Sequence, residues 1–395
     1  MKRGNMRLAA ASVALCTAAA LPAQASAEAV KIGMVTTLST GGGYLGEDIR
    51  NGFQLAMEHA GGTLGGVEVE LLVEDDGRDP GNARQIVTRM IQSEGVKIMT
   101  GSVFSNVAMA TIPKAVRDGV IYISPNAGPA KLAGRLCHEN YFNVAYQNDN
   151  FYEAMGQYFT DEGLDNVYLL APNYAAGKDA LTGFKRYFEG NVVGEVYTKL
   201  GQADYAAEIA EIRDAAPDNV FFFYPGGMGI NFIKQYVQAG LDQEIPLYGP
   251  GFSADNTLVD AVGEAAVGTL NSAHWSKDLD SELNPRFVED YTEKYGREPT
   301  LYASQGYDAA NLIASALKAT GGDVSDTTAL RKALEAADFQ SIRGDFAFNT
   351  NHHPIQDIYV REVVREDDGN LTNRIVTKVF DDHEDAYAKE CSLGQ

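Results

Sequence analysis

Residues 32–46 read IGMVTTLSTGGGYLG, an apolar run that leads into a glycine-rich turn. A helix is predicted next, because the following apolar residues are spaced to share one helical face: Ile49, Phe53, Ala56, Met57 and Ala60. The segment therefore predicts a strand–turn–helix unit. Gly41, Gly43 and Gly46 also satisfy G-x-G-x-x-G, the spacing typical of a dinucleotide-binding turn.

The first 27 residues have the composition of a secretory signal peptide. A start with three basic residues precedes an apolar stretch from Leu8 to Leu21, and Ala-x-Ala sites end at Ala25 or Ala27. The apolar stretch is too short for a membrane span. We expect export to the periplasm, where the nicotinamide pool is absent, so an exported NAD-dependent enzyme is only a distant alternative.

The charge of the chain excludes one large class of partners. Removal of residues 1–27 takes away three basic residues and changes the formal net charge from −22 to −25. A protein this acidic repels phosphate backbones and anionic membranes. We therefore expect no nucleic-acid partner, although a local pocket can still bind an anion.

The mature chain keeps two cysteines, Cys137 and Cys391. Two cysteines in an oxidising compartment favour one disulfide, which would join the C-terminal segment to the region of residue 137. Two separate thiols are the alternative. The chain has no Cys-x-x-Cys motif that would indicate a redox or metal site.

From residue 30 onward, apolar strand-like runs alternate with amphipathic segments of helix length in two successive series. The predicted strands include 67–75, and after residue 275 the pattern becomes helical, beginning at about 284–295. Strict alternation with short connections predicts parallel sheets covered on both faces. The fold class is therefore α/β, with two doubly wound parallel-sheet lobes joined by a multi-strand hinge. The predicted lobes are 28–147 plus 276–349 and 148–275 plus 350–395.

The loops after the predicted strands carry the residues suited to binding. They are rich in glycine, hydroxyl and aromatic residues, and they cover 41–44, 101–106, 124–129, 172–177, 225–228 and 249–252. Ligands of parallel α/β sheets bind beyond the carboxyl ends of the strands, and helix N-termini there favour an anion. Each loop by itself is equally consistent with ordinary capping and turn chemistry.

Four short motifs resemble those of a known protein family, and the resemblance covers nearly the whole mature chain. They are the strand at Ile32–Gly33 running into Tyr44–Gly46, the acidic end of the second strand at 74–76, the loop at 123–128, and Tyr307–Ala309. In order and spacing they resemble the type I periplasmic binding proteins of ABC importers, specifically the branched-chain amino acid (Leu/Ile/Val) binding group.

The resemblance implies a site for the carboxylate of a ligand in the first lobe. Ser105, at the start of the helix after the third strand, matches the hydroxyl that holds this carboxylate. Asn126, Ala127 and Gly128 match the loop that completes the site through its backbone, although Gly128 stands where amino-acid binders often have Ser or Thr.

The resemblance also implies the rest of the ligand contacts and a mechanism. Tyr44 and Tyr302 match positions that line the side-chain pocket, and Tyr174 matches an aromatic residue that closes from the second lobe. We expect the lobes to close on a hinge, with Phe252 and the turn at Gly226 approaching the ligand.

One departure from the family pattern concerns the ligand. Amino-acid binders place a carboxylate in the loop aligned with 249–252, where it pairs with the ligand's ammonium group. This chain has Gly251 there, followed by Phe252, and we expect both residues to contact the ligand. Burying an ammonium group without a counter-charge costs several kcal/mol. An aromatic or other non-amino carboxylate is therefore favoured, as in the family's aromatic-acid binders, with a branched-chain or other amino acid as the alternative.

No catalytic set is found. The chain has no Gly-x-Ser-x-Gly motif, and His352 and His353 precede Pro354, which argues against a helical metal pair. We expect no enzyme activity, no metal and no cofactor. The partners implied by the resemblance are permease subunits of an ABC transporter in the inner membrane, with the binding protein a monomer; a sensory role for the same fold remains open.

Overall fold

The computed structural model describes Met1 and residues 29–393. The predicted signal peptide, apart from Met1, lies outside the described residues. Among those described, no helix has both the length and the apolar character needed to cross a bilayer.

The first part of the mature chain forms a six-stranded sheet. Its strands are β1 Val30–Thr36, β2 Thr63–Leu64, β3 Val67–Asp75, β4 Ile98–Gly101, β5 Ile121–Ser124 and β6 Tyr141–Asn143, and its helices are α1 Gly43–His59, α2 Pro80–Gln92, α3 Ser105–Arg117 and α4 Ala130–Ala133. The strand order is β2-β3-β1-β4-β5-β6, parallel except for the short β2–β3 pair. Strands β4 and β5 are buried at every position, as central strands covered on both faces should be.

The glycine-rich turn after β1 serves packing within this lobe. A Cβ atom at Gly46 would lie 2.0 Å from the carbonyl oxygen of Thr37. Since real Cβ atoms do not approach that closely, a glycine is needed for α1 to pack against the end of β1. The dinucleotide-like spacing at Gly46 is thus explained by helix–strand packing.

The second sheet has eight strands. Its strands are β7 Val167–Pro172, β8 Val192–Thr198, β9 Asn219–Phe222, β10 Leu247–Pro250, β11 Leu270–Ala273, β12 Ala347–Phe348, β13 Pro354–Arg365 and β14 Leu371–His383, and its helices are α5 Asn150–Asp161, α6 Ala175–Tyr187, α7 Ala206–Ala215, α8 Gly227–Gln238 and α9 Asn256–Val262. The order is β12-β13-β11-β10-β9-β7-β8, with β14 paired to β13.

The end of the second sheet departs from the parallel pattern. Strand β13 is antiparallel to β11, β12 and β14, whereas β7 to β11 pair in parallel. The β13–β14 connection is five residues, which permits a hairpin but is too short for a parallel crossover.

The chain passes between the two sheets three times, through residues 144–149, 274–283 and 336–346. Between the second and third passages lie α10 Asn284–Tyr295, α11 Leu301–Thr320 and α12 Thr327–Glu335. They return to the first lobe, where α11 packs along α1 and the Thr300 hydroxyl donates to Asp48 at 2.7 Å.

This architecture confirms the two-lobed α/β fold predicted from the sequence. The residue limits of the lobes stay a prediction. Strand β12, which falls inside the predicted segment 276–349 of the first lobe, pairs with β13 of the second sheet.

The disulfide predicted between Cys137 and Cys391 is present, with the two Cα atoms 5.7 Å apart. It joins the loop before β6 in the first lobe to the segment after β14. The bond closes a loop of 254 residues, and a loop of this length restricts the unfolded chain strongly.

Reduction of this bond, or the double substitution Cys137→Ser and Cys391→Ser, should lower the free energy of unfolding by about 2–5 kcal/mol. Neither cysteine lines the interlobe cavity described below, so ligand affinity should change little. Thermal unfolding with and without reductant, alongside ligand titration, tests both parts. An unchanged melting temperature would contradict a stabilising role for the bond.

Candidate functional site

A cavity lies between the two lobes, at the carboxyl ends of strands from both sheets, where parallel α/β sheets usually bind ligands. Its lining residues are Val103, Phe104, Ser105, Asn126, Tyr146, Asn148, Tyr152, Tyr174, Ala176, Phe223, Pro225, Phe252 and Tyr302. Its volume, counted with the space at its mouth that is open to solvent, is about 330 Å³. The side chains of both lobes close tightly around this space.

The chemistry of the lining is aromatic and without formal charge. Seven of these 13 described lining residues are Phe or Tyr, and none is Asp, Glu, Lys, Arg or His. Aromatic side chains offer flat apolar faces and, in tyrosine, a hydroxyl group. Such a lining suits a planar apolar ligand with a few polar substituents.

Ser105 lies at the polar end of the cavity. It begins α3, is 2% exposed, and follows Phe104, which gives the helix no side-chain cap. The N–H groups of a first helical turn have no partner within the helix, and a helix N-terminus favours an anion. The Ser105 Oγ accepts a hydrogen bond from Asn148 at 3.1 Å, which leaves the hydroxyl proton free to be donated. This end of the cavity can hold a carboxylate.

Asn148, which is not among the ligand-binding residues predicted from the sequence, holds Ser105 in place. Its Nδ2 donates to the Ser105 Oγ and, at 2.8 Å, to Asp179 on α6, while its Oδ1 accepts from the Gly128 N–H at 3.0 Å. One side chain of the first interlobe passage thus connects the carboxylate end to both lobes. From the sequence, the region around Asn148 was predicted only to be the boundary between the two lobes.

The polar groups of the 126–128 loop, which was predicted to complete the carboxylate site, are mostly hydrogen-bonded within the protein. Asn126 lines the cavity, but its Nδ2 donates to the carbonyl of Val103 at 2.7 Å and its Oδ1 accepts from the Tyr146 hydroxyl at 2.9 Å. Ala127 and Gly128 are outside the lining: the Ala127 carbonyl accepts from the serine that ends β5, and the Gly128 N–H donates into the first passage.

Three of the four aromatic residues predicted to contact the ligand line the cavity, and the fourth does not. Tyr174, Phe252 and Tyr302 line the cavity, as the sequence-based set proposed. Tyr44 is not among the lining residues; its hydroxyl donates instead to Asp255 Oδ2 at 3.0 Å, which joins the first lobe to the second.

Gly226 also lies outside the lining, because it contacts the opposite lobe. A Cβ atom at Gly226 or Gly227 would be 3.0 or 3.1 Å from the carbonyl oxygen of Gly41. The glycine-rich turn of the first lobe therefore meets the start of α8 backbone to backbone. The two lobes touch at the mouth of the cleft, so the structure shows a closed arrangement.

Arg78 lies at the same mouth. Its guanidinium carbon is 5.6 Å from the ring centroid of Phe104, and a Cβ atom at Gly201 of the second lobe would be 2.9 Å from its Nη2. Burial and then the Asp179 carboxylate raise the pKa of Tyr174, and the Arg78 charge lowers it by a smaller amount. A cation thus stands beside a cavity whose own lining has none.

Gly251 faces away from the cavity. A Cβ atom there would meet Arg361 Nη2 at 2.8 Å and side-chain carbons of Ala273 and Leu301 at 3.1 Å. The expectation that Gly251 contacts the ligand is not supported by this geometry. An acid at 251 would press against the buried Arg361 guanidinium instead.

Asp255 is the buried acid nearest in sequence to the Phe252 loop. Its Oδ1 caps α9 by accepting from the Leu258 N–H, and its Oδ2 accepts from Tyr44. Burial raises the pKa of Asp255 to about 7, and the neighbouring Asp48 adds to this increase. Both oxygens are engaged within the protein, and the residue does not line the cavity.

The raised pKa of Asp255 predicts a pH-dependent stability. The unfolded pKa is about 3.9, so between about pH 4 and 7 the folded chain holds a proton that the unfolded chain has lost. The free energy of unfolding therefore falls as the pH rises to about 7 and is then constant. In Asp255→Asn the Oδ1 still accepts from the Leu258 N–H, and the Nδ2 can donate to the Tyr44 hydroxyl oxygen. This variant should lose about 2 kcal/mol less between pH 5 and 7 than the unaltered protein.

Urea unfolding of both proteins at pH 5, 6, 7 and 8 measures this difference. Other groups, including Asp149 with its pKa raised to about 7, titrate in both proteins and cancel in the comparison. Parallel curves for the two proteins would contradict a proton held by Asp255.

Comparison with known families agrees with this arrangement. Residues 29–370 match the model of the periplasmic binding protein family. The chain belongs to this family. Among curated relatives, this periplasmic binding protein is 28% identical to the Leu/Ile/Val-binding protein homolog 6 of Brucella melitensis, over 89% of the chain and 91% of the relative.

Two solved structures are similar to this chain, and their sequence identities exceed that of the curated relative. One is a solute-binding protein of an ABC transporter from R. palustris in complex with benzoate, with a TM-score of 0.87 and 34% identity over 92% of this chain and 99% of that one. The other, from Rhodopseudomonas palustris BisB5, was solved with 3,4-dihydroxybenzoic acid, with a TM-score of 0.83 and 30% identity over 91% and 99%. A leucine-binding protein of Thermotoga maritima, 23% identical with a TM-score of 0.77, shares the fold.

This periplasmic binding protein is thus a solute-binding component of an ABC transporter rather than an enzyme. Within the part of the chain that the structure describes, no cluster of three His, Cys, Asp or Glu side chains could hold a metal ion.

Proposed function

We propose that this periplasmic binding protein captures a small aromatic carboxylate between its two lobes and presents it to an ABC importer. The observation that carries the proposal is the lining of the cavity, in which aromatic residues predominate and no acid occurs. The carboxylate lies against Ser105 and the first turn of α3, and the ring lies among Tyr174, Phe223 and Phe252.

Electrostatics support an anionic ligand. The helix N-terminus at Ser105 carries a partial positive charge, and Arg78 adds a full one at the mouth. These positive charges attract a carboxylate at close range. The Asp179 carboxylate, which accepts from Asn148 at 2.8 Å, acts against this attraction, and burial raises the pKa of Asp179.

An amino acid is the second candidate, because several sequence relatives are named for binding leucine, isoleucine and valine. Its ammonium group would need a buried counter-charge. Asp255 is engaged with Tyr44 and the start of α9, and its raised pKa reduces its negative charge near neutral pH. The lining therefore favours the aromatic carboxylate.

Hinge closure is the proposed mechanism. The ligand binds the first lobe through Ser105, and the second lobe then brings Tyr174 and Phe252 over the ring until Gly227 meets Gly41. The closed form is the one that we propose docks on the permease. Uptake of the ligand, measured in cells with and without the protein, distinguishes a transport role from a sensory one.

A ligand panel tests the proposal. Trp275, the single tryptophan of the chain, is buried in the second interlobe passage. We expect its fluorescence to change when the lobes close. Benzoate and related aromatic carboxylates should change this emission and raise the melting temperature, whereas leucine, isoleucine and valine should do neither. Stabilisation by leucine without any response to aromatic carboxylates would overturn the assignment.

A further inference from the structure

We infer that Asp179, which does not line the cavity, prepares the site for a hydrogen-bond acceptor by fixing the direction of the hydrogen bonds that run through Asn148 to Ser105. Asp179 is therefore a positioning residue, which acts on the ligand only through these two side chains. This inference rests on the proposed function and adds to it a residue of the second lobe.

Asp179 belongs to α6 of the second lobe but bonds to groups outside that lobe. Its Oδ2 accepts from the Asn148 Nδ2 at 2.8 Å and from the Ala130 N–H at 3.1 Å. Ala130 begins α4 of the first lobe, and Asn148 lies in the first interlobe passage. The closed arrangement thus brings an accepting oxygen of the second lobe onto the side chain that holds Ser105.

The amide group of Asn148 fits these partners in one orientation. Its Oδ1 faces the Gly128 N–H at 3.0 Å, and a backbone N–H can only donate. Its Nδ2 faces the Asp179 Oδ2, which accepts. Turning the amide over would place N–H against N–H at Gly128 and oxygen against oxygen at Asp179. The second N–H of Nδ2 therefore points to the Ser105 Oγ, 3.1 Å away.

This orientation decides what Ser105 offers to a ligand. A serine hydroxyl has one proton, and an Oγ that accepts from Asn148 keeps that proton for another partner. A carboxylate oxygen can take the proton, whereas a group that only donates cannot. The direction of the bonds from Asp179 to Ser105 thus favours an accepting group at this end of the cavity.

Asp179 adds to what Gly128 contributes alone. The bond from Gly128 is between neutral groups, and a bond to an ionised carboxylate is roughly twice as strong. Burial raises the pKa of Asp179, and the hydrogen bonds from Asn148 and Ala130 lower it. Both N–H groups converge on Oδ2, so a proton would lie on Oδ1, and Oδ2 accepts in either state.

Two substitutions separate the accepting oxygen of Asp179 from its charge, which repels a bound carboxylate. Asp179→Asn removes the charge and keeps an accepting oxygen, which the Ala130 N–H holds toward Asn148. Asp179→Ala removes both. The difference between the two variants therefore isolates the acceptor.

Calorimetric titration of both variants tests the inference, with benzoate or 4-hydroxybenzoate as the probe, whichever binds the unaltered protein more tightly. Asp179→Asn should bind the probe at least as tightly as the unaltered protein. Asp179→Ala should bind it about tenfold more weakly than Asp179→Asn, the worth of about one hydrogen bond. Melting temperatures without ligand check that both variants are folded.

The same pair of variants in a Ser105→Ala background distinguishes positioning from a general effect on closure. With no hydroxyl left to orient, the difference between Asn and Ala at position 179 should fall below about threefold, because the two sites are coupled. Tyr44→Phe is the matched control. It removes another interlobe hydrogen bond, to Asp255 at 3.0 Å, and its effect should be the same with and without the Ser105 hydroxyl.

The outcomes separate this inference from the proposed function. If Asp179→Asn and Asp179→Ala bind the probe equally, or if their full difference persists without the Ser105 hydroxyl, the inference is wrong while the aromatic carboxylate stands. If neither aromatic acid binds the unaltered protein, the proposed function fails and the inference fails with it.

Discussion

Ser105→Ala should weaken binding of the aromatic carboxylate by about 10- to 150-fold, the worth of a hydrogen bond to a charged group. The Ser105 Oγ accepts from Asn148, so its own proton is free to be donated to the proposed ligand. The substitution removes this donor and also leaves the Asn148 Nδ2 with one partner fewer. Calorimetric titration with the best ligand of the panel measures the loss.

Ser315→Ala is a suitable control for this variant. Ser315 lies on α11, bonds the Leu312 carbonyl of its own helix, and does not line the cavity. Its replacement should leave affinity within about twofold. Equal affinity of Ser105→Ala and the unaltered protein would show that the carboxylate binds elsewhere.

Gly227→Leu should weaken binding by about 100-fold or more, because it opposes closure of the cleft. A Cβ atom at Gly227 would lie 3.1 Å from the Gly41 carbonyl oxygen and 3.6 Å from the Gly41 Cα, so a leucine side chain there presses the start of α8 away from the glycine-rich turn. The open protein keeps the contacts of the first lobe but loses those of Tyr174, Phe223 and Phe252. Each fully buried aromatic side chain contributes about 1.5–3 kcal/mol.

Gly81→Leu provides the matched control for this prediction. Gly81 also lies in the first turn of a helix, α2, but it is exposed and does not contact the second lobe. Titration calorimetry and Trp275 fluorescence on both variants distinguish failed closure from lost folding, since the melting temperature without ligand should stay close to that of the unaltered protein. Full affinity in Gly227→Leu would contradict closure of the lobes around the ligand.

Local sequence patterns were sufficient to predict most of the elements. The apolar run at 67–75 and the helical pattern at 284–295 coincide with β3 and α10, because each has a clear period and marked ends. Short elements such as β6 and α4 were not predicted, since three or four residues carry too little periodicity. The antiparallel pairing of β13 depends on contacts between distant parts of the chain, which periodicity does not encode.

The candidate site was predicted in part for a similar reason. Ser105, Tyr174 and Phe252 follow strands directly, and strand ends are where ligands of this fold bind. Asn148 and Tyr146 lie in an interlobe passage, whose residues come to the cavity only through the arrangement of the two lobes. No local pattern in the sequence marks them as cavity residues.

The glycine positions show the limit of reading the sequence alone. Gly226 and Gly251 stand in loops at the carboxyl ends of strands, yet one contacts Gly41 and the other packs against Arg361. A glycine indicates that a group approaches closely, but not which group. The approaching group was predicted to be the ligand, whereas the structure places protein atoms there.

A matched pair of ligands separates a carboxylate without an ammonium group from one that has it. Phenylacetate and phenylglycine have the same ring and carboxylate and differ in the α-ammonium group. Calorimetric titration should show phenylacetate binding at least about 100-fold more tightly, since the cavity lining has no acid to pair with the ammonium. Tighter binding of phenylglycine, or of leucine, would show that the cavity binds an amino acid instead of the proposed aromatic carboxylate.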